Sequence, residues 1–210
     1  MKTILCFGDS NTWGYSPSLA RRYNESERWT MLLQSQLPNE YRIIEEGLNS
    51  RTTVFEDPFE AGKKGLDYLP PCLGSHHPDL IIIMLGTNDL KSRFNVNAND
   101  ISKGAARLVE VAKNFNPGFM NKAPDVLLIS PAQVLELDNG KEGWDGAQAK
   151  SEQFAHYYEL RSKELECHFL DAAKLVKPCN KEGIHWLPEE HIKLANKLSQ
   201  LIPAILPLDE

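Results

Sequence analysis

The run Asp79-Leu80-Ile81-Ile82-Ile83-Met84-Leu85 is uninterrupted in its apolar character after the first residue and stops at Gly86-Thr87-Asn88-Asp89. A run of this length without polar alternation predicts a central strand of a parallel sheet, buried on both faces. Outward from it, shorter apolar runs at 3–7, 41–45, 125–129 and 167–170 predict four more strands. Between them lie helical spacings. Trp29, Leu32, Leu33 and Leu37 fall on one face of 28–37, and Ile101, Ala105, Leu108, Val109 and Ala112 on one face of 101–115. A long helix is expected over 147–165, and a last one over 189–205, just after Pro188. Strands alternating with helices imply an α/β fold: a three-layer α/β/α sandwich around a flavodoxin-like parallel sheet of about five strands. The 210 residues are expected to form a single domain, 1–210, without repeats or linkers. Two irregular stretches, 48–78 and 133–146, follow strand ends and are expected to border the site; Leu66, Leu69 and Leu73 suggest a short helix inside the first.

Composition excludes several classes. Hydrophobic residues make up 41% and charged residues 25%, and the net charge is −6 with no basic stripe. A nucleic-acid partner is therefore not expected, because phosphate binding needs clustered Lys and Arg. No window approaches the roughly 18 apolar residues of a membrane span, and no signal segment precedes the first strand. The four cysteines (Cys6, Cys72, Cys167 and Cys179) lack CxxC spacing and read as reduced thiols. A cytoplasmic location is the expectation. No P-loop, no GxGxxG and no zinc spacing occur, so neither a cofactor nor a metal is expected. His76-His77 reads as a surface loop without an accompanying ligand set.

The chemistry gathers after successive strands. The first strand delivers Asp9-Ser10-Asn11, the second Gly47-Leu48-Asn49-Ser50-Arg51, the third Gly86-Thr87-Asn88-Asp89, and the fifth, after a short connection, Glu182-Gly183-Ile184-His185. In a doubly wound sheet these segments share one edge. A Ser, a Gly, an Asn and a His brought together there supply what acyl transfer requires: nucleophile, oxyanion donors and base. Serine is a weak nucleophile until a His oriented by a carboxylate activates it. Asp9 reads as a local cap, and Arg51 as an ion-pair partner of Glu45, Glu46 or Asp57.

Gly-Asp-Ser-Asn at 8–11, Gly47, Gly-Thr-Asn-Asp at 86–89 and His185 resemble the four blocks of the SGNH (GDSL-type) hydrolases, over nearly the whole chain. Glu45-Glu46-Gly47-Leu48, Arg51-Thr52-Thr53 and 83–89 resemble the arylesterase/acyltransferase branch of that family. The resemblance implies Ser10 as nucleophile, His185 as general base and then acid, and an oxyanion hole of the Ser10 N–H, the Gly47 N–H and the Asn88 side-chain amide. Two residues depart from the pattern. Asn11 stands where the family has leucine, which would alter pocket polarity. Glu182 stands where the family has aspartate three residues before the His. Glu182 is nevertheless expected to orient His185, with Asp171 as the fallback and capping as the more natural role of Asp171. Trp13 and Trp186 flank the Ser and the His in sequence and are candidates for the pocket wall, with plain core packing the equal alternative.

The resemblance thus implies hydrolysis of small carboxylic (aryl or short-acyl) esters through an acyl-Ser10 intermediate, with acyl transfer to alcohols or peroxide as a related outcome and a homo-oligomer as the expected assembly. A carbohydrate or thioester deacylase would use the same chemistry in a different pocket. A non-catalytic binding module with a degenerate triad, and a flavin or nucleotide binder, are the rivals of another class. The second is disfavoured because 8–11 offers no phosphate-cradling glycine loop.

Overall fold

A computed structural model describes residues 1–116, 122–135 and 142–208. Strand β1 spans Lys2–Gly8 and runs directly into a single helical turn, α1 (Ser10–Trp13). A small antiparallel ribbon follows, β2 (Tyr15–Ser16) with β3 (Arg21–Arg22), and then α2 (Trp29–Gln36). The chain continues through β4 (Tyr41–Gly47), α3 (Gly65–His76), β5 (Leu80–Met84), α4 (Ala98–Lys113) and β6 (Asp125–Ser130). It ends with α5 (Ala147–Ser151), α6 (Phe154–Glu164), β7 (His168–Asp171) and α7 (Pro188–Ile205).

Five strands form one parallel sheet in the order β4-β1-β5-β6-β7. Counted along the chain this is 2-1-3-4-5, the flavodoxin-like order. The direction of winding reverses between β1 and β5, and a crevice opens beyond the carboxyl ends of those two strands. The Ser10 turn leaves β1 and the Asn88 turn leaves β5, so both stand at that reversal.

Period-two alternation sorts the strand residues into two cores. Leu5, Phe7, Ile81, Ile83, Val126 and Leu128 face the layer built by α3, α4 and α6. Ile4, Cys6, Leu80, Ile82, Leu127 and Ile129 face the layer built by α2 and α7. This is why 80–84 reads as a solid apolar run: each face has its own helices to cover it.

The helix expected over 147–165 is two helices. Ser151 ends the first one, donating its hydroxyl to the Gln148 carbonyl and accepting the Val134 N–H at 3.0 Å. A serine that bonds back to the preceding turn weakens helix continuation, and here it also fastens the segment after β6. The short helix expected inside 48–78 is α3, which accommodates Pro70 and Pro71. Among the described residues no helix is long and apolar enough to cross a membrane.

Ile83→Ala is expected to lower stability by about 2–5 kcal/mol, through lost burial and the cavity left between β5 and its helices. Urea unfolding should show a lower midpoint with an unchanged slope; an unchanged midpoint would contradict the two-core packing.

Candidate active site

The turn after β1 is shaped by Asp9, whose carboxylate accepts the Asn11 N–H at 3.0 Å while its carbonyl accepts the Thr12 and Trp13 N–H groups. Ser10 is thereby the first residue of α1, where N–H groups have no acceptor within the helix. Gly47 pairs with Gly8 in the sheet. A Cβ built on Gly47 would lie 2.2 Å from the Trp13 nitrogen, so the strand end and α1 touch through bare backbone. Only glycine permits that approach.

Asn88 opens a single 3-10 turn, Asn88–Leu90, and donates its Nδ2 to the Arg51 carbonyl at 3.1 Å. One of the two amide hydrogens is used in this way. The neighbouring Asp89 is fully buried, and its carboxylate accepts the Thr53 N–H at 3.0 Å and the Thr53 hydroxyl at 2.5 Å. Two adjacent residues of one loop therefore bolt down the other.

His185 completes the group. Its Nε2 lies 2.8 Å from Ser10 Oγ, and its Nδ1 lies 2.9 and 2.8 Å from the two oxygens of Glu182. Glu182 also accepts the backbone N–H of His185. The carboxylate accepts only, so Nδ1 carries the hydrogen and Nε2 presents its lone pair to the Ser10 hydroxyl. Gly183 sits between them at φ +73°. That left-handed turn, closed by Gly183 N–H to the Cys179 carbonyl at 2.9 Å, lets the longer glutamate side chain fold back onto the ring. Asp171 is elsewhere occupied: it accepts the Ala173 N–H at 3.0 Å and caps the turn after β7.

A cavity of about 270 Å³ opens onto Ser10, Asn88 and His185, with Tyr15, Asn49, Ser50 and Lys91 around them. Trp144 and Ile184 give it an apolar wall. Tyr15 and Lys91 were not singled out by the sequence, whereas Trp144 lies in the stretch 133–146 expected to border the site and Ile184 in the segment that delivers His185. Tyr15 is only five residues beyond Ser10 and Lys91 three beyond Asn88, and that proximity is the signal that points to them. Tyr15 packs its ring against His185, centroids 4.4 Å apart. Lys91 is 9% exposed and stands 3.5 Å from Glu60; burial lowers its pKa.

Three pocket candidates lie outside this lining. Trp186 is 1% exposed and packs edge-on against His191 in the α2–α7 core, because its strong apolar burial outweighs its position beside His185. Trp13 turns to the Arg22 guanidinium, 5.4 Å from its ring. Asn11 is buried and donates its amide to the Ile184 carbonyl at 3.3 Å, so the polar departure from the family pattern ties the Ser10 turn to the His185 loop. Arg51 is also not the ion pair expected. Arg28 takes Glu45 in a two-pronged bond at 2.7 and 2.8 Å, and Arg93 takes Asp57 at 2.5 Å. Arg51 instead donates to the carbonyls of Gly8 and Glu46, and its guanidinium lies 4.2 Å from the Phe7 ring. Of the irregular stretch 133–146, residues 136–141 lie outside the described residues.

Burial pushes the Asp9 carboxyl from 3.8 up to about 6, opposed in part by the Asn11 N–H and by His185. Asp89 is raised to about 6 for the same main reason. A carboxyl whose folded pKa exceeds its unfolded one stabilises the fold fully below the unfolded value, and that stability is lost as pH rises through the folded value. Asp9→Asn keeps a carbonyl to accept the Asn11 N–H and removes the titration. Its stability relative to the parent should rise between about pH 4 and pH 6.5, by an amount of order 1–3 kcal/mol. Parallel pH profiles in urea unfolding would refute this. Gly47→Ala should push α1 off its seat and cut any turnover that depends on Ser10 by on the order of 10²-fold, with a smaller change in melting temperature. An unaffected turnover would show that the contact does not position Ser10.

The model of the GDSL-like lipase/acylhydrolase family matches residues 6–191. Among solved structures, the native aryl esterase of M. smegmatis superposes with a TM-score of 0.92 at 34% identity, covering 98% of this chain and 100% of that one. A carbohydrate acetylesterase from Sinorhizobium meliloti superposes with a TM-score of 0.93, also at 34% identity, covering 98% and 100%. A member of the lipolytic G-D-S-L family from Veillonella parvula shares the fold, with a TM-score of 0.69 at 15% identity and coverage of 96% and 98%. No curated protein matches the chain. With a family model spanning most of its length and full-length structural relatives above 30% identity, the chain belongs to the GDSL-like lipase/acylhydrolase family.

Proposed function

We propose that the protein is a serine esterase that hydrolyses small carboxylic esters through an acyl-Ser10 intermediate, the chain 1–210 acting as one hydrolase domain. The observation that carries the reading is the unbroken hydrogen-bonded line from Glu182 through His185 to Ser10. In the proposed mechanism His185 Nε2 takes the Ser10 proton as Oγ attacks the ester carbonyl. The Ser10 and Gly47 N–H groups and the second amide hydrogen of Asn88 receive the oxyanion. Donors of this kind are each worth about 3–4 kcal/mol in comparable sites. The alkoxide leaves with the proton from His185. Water, deprotonated by His185, then attacks the acyl-enzyme and releases the acid. Glu182 holds the imidazole in the tautomer both steps need.

A cavity of about 270 Å³ suits a short acyl group, and the relatives named above are an aryl esterase and a carbohydrate acetylesterase. The polar rim of Asn49, Ser50 and Lys91 favours an alcohol portion with hydroxyl groups, which keeps a sugar-ester deacylase as the second reading. Acyl transfer to alcohols or peroxide would require that water be kept from the acyl-enzyme. A homo-oligomer is the assembly that the family resemblance suggests. A cytoplasmic location is supported by four free thiols.

Ser10→Ala is expected to abolish p-nitrophenyl acetate turnover, a loss of at least about 10⁴-fold. Glu182→Gln should cost on the order of 10²–10⁴-fold, because the amide cannot hold the same tautomer. Asp171→Asn should stay near the parent rate. Full activity in Ser10→Ala would end the proposal, and a near-normal rate in Glu182→Gln would remove Glu182 from it.

A further inference from the structure

Glu46, Cys72 and His76 lie outside the cavity lining, and their side-chain ligand atoms all fall within 4.8 Å of one another. The sequence hides the group, since Glu46 and Cys72 are 26 residues apart in number and the spacing matches no metal motif. The structure assembles it at the seam between β4 and α3. Cys72 and His76 are four residues apart on α3 and so share one helix face. Glu46, the residue before Gly47 at the end of β4, reaches across to them and places Oε1 3.1 Å from His76 Nε2. His76 therefore has the companions that a surface-loop reading denied it. Cys72 is buried, while Glu46 and His76 are partly exposed, so an ion has a route in and a water has room to join it.

We infer that Glu46, Cys72 and His76 form a binding site for a borderline-soft divalent ion of the zinc class, with three protein ligands and a fourth position open to water. One thiolate, one imidazole and one carboxylate make a donor set that hard cations do not select. Zinc bound by such ligands keeps Zn–S near 2.3 Å and Zn–N and Zn–O near 2.0–2.2 Å, which sets ligand atoms roughly 3.3–3.7 Å apart. His76 Nε2 and Glu46 Oε1 already stand 3.1 Å apart, and with every ligand atom within 4.8 Å of the others no pair has to close by more than about 1.5 Å. On binding, the Cys72 thiol gives its proton to solvent and a sulfur–metal bond forms. The thiolate and the Glu46 carboxylate then balance the two charges of the ion. Arg51 is close enough to feel both groups and opposes a cation there, but its single charge is outweighed by the thiolate and carboxylate that the ion would meet. The bound ion would pin the strand end that leads into Gly47.

The test is a metal titration of the full-length protein after chelator treatment. Cobalt(II) should bind one equivalent per chain and give thiolate-to-cobalt charge-transfer absorption, and zinc should bleach it. Zinc should also raise the melting temperature. Cys72→Ser should lose the absorption, and His76→Ala and Glu46→Gln should each weaken zinc binding by at least about tenfold. Ser10→Ala should keep both signals. Absence of the band in the parent protein overturns the site. Persistence of the band in Cys72→Ser does so too, because it assigns the thiolate to Cys6, Cys167 or Cys179. Should Cys72→Ser not fold, the His76 and Glu46 variants decide the matter, and unchanged zinc affinity in both overturns it.

Discussion

The buried Arg51 guanidinium is the interaction on which the site's architecture rests. It donates to the last carbonyl of β1 and to the carbonyl before Gly47, so it joins the two strand ends that face each other at Gly8 and Gly47. Its own carbonyl receives the Asn88 amide. Three of the four segments that make the site therefore meet at one residue. Desolvation lowers the Arg51 pKa, yet arginine keeps its charge at any physiological pH. A lysine would offer no planar fork for two carbonyls and would surrender its charge more readily under burial. Breaking such a buried charged network costs more than any single bond in it, because one guanidinium serves both strand ends and its removal loosens them together.

The fourth segment is held separately. The His185 loop is closed on itself by Cys179 N–H to the His185 carbonyl at 2.8 Å, and it is tied to the rest by Leu135 N–H to the Gly183 carbonyl at 2.8 Å and by Asn11 to Ile184. This explains how a glutamate can stand where an aspartate is the family's rule. The left-handed Gly183 turn and the double hold of Glu182, on the backbone and the ring of one residue, absorb the extra methylene locally. Nothing in the sheet has to move.

Much of this was readable from the sequence, for a physical reason. Strands buried on both faces must be apolar throughout, as 80–84 is, and the segments leaving them must carry the polar chemistry at one edge. Ser10, Gly47 and Asn88 could be placed at that edge because each stands at or just past a strand end, and Glu182 and His185 because they come shortly before the helix that opens at Pro188. What escaped depends on side-chain direction. Trp186 next to His185 turns into the α2–α7 core, and Tyr15, which looks like ribbon filler, turns onto the imidazole. Arg51 has carboxylates near it in sequence but finds carbonyls in space. The break between α5 and α6 hinges on one hydroxyl, Ser151, whose partner Val134 lies 17 residues away. The Glu46–Cys72–His76 group exists only once α3 has docked on β4.

The line from Glu182 to Ser10 joins contacts of opposite kinds. Glu182 and His185 are three residues apart, whereas His185 and Ser10 are separated by 175. The Glu182–His185 contact is thus a property of one tight turn and can form while the rest of the chain is still loose. Ser10 joins it only when the first strand and the last loop are both in place, the slowest class of contact to close in a folding chain. The complete Glu182–His185–Ser10 line is in this sense a reporter of complete folding, and a nascent or partly folded chain carries the paired Glu182 and His185 with Ser10 out of reach.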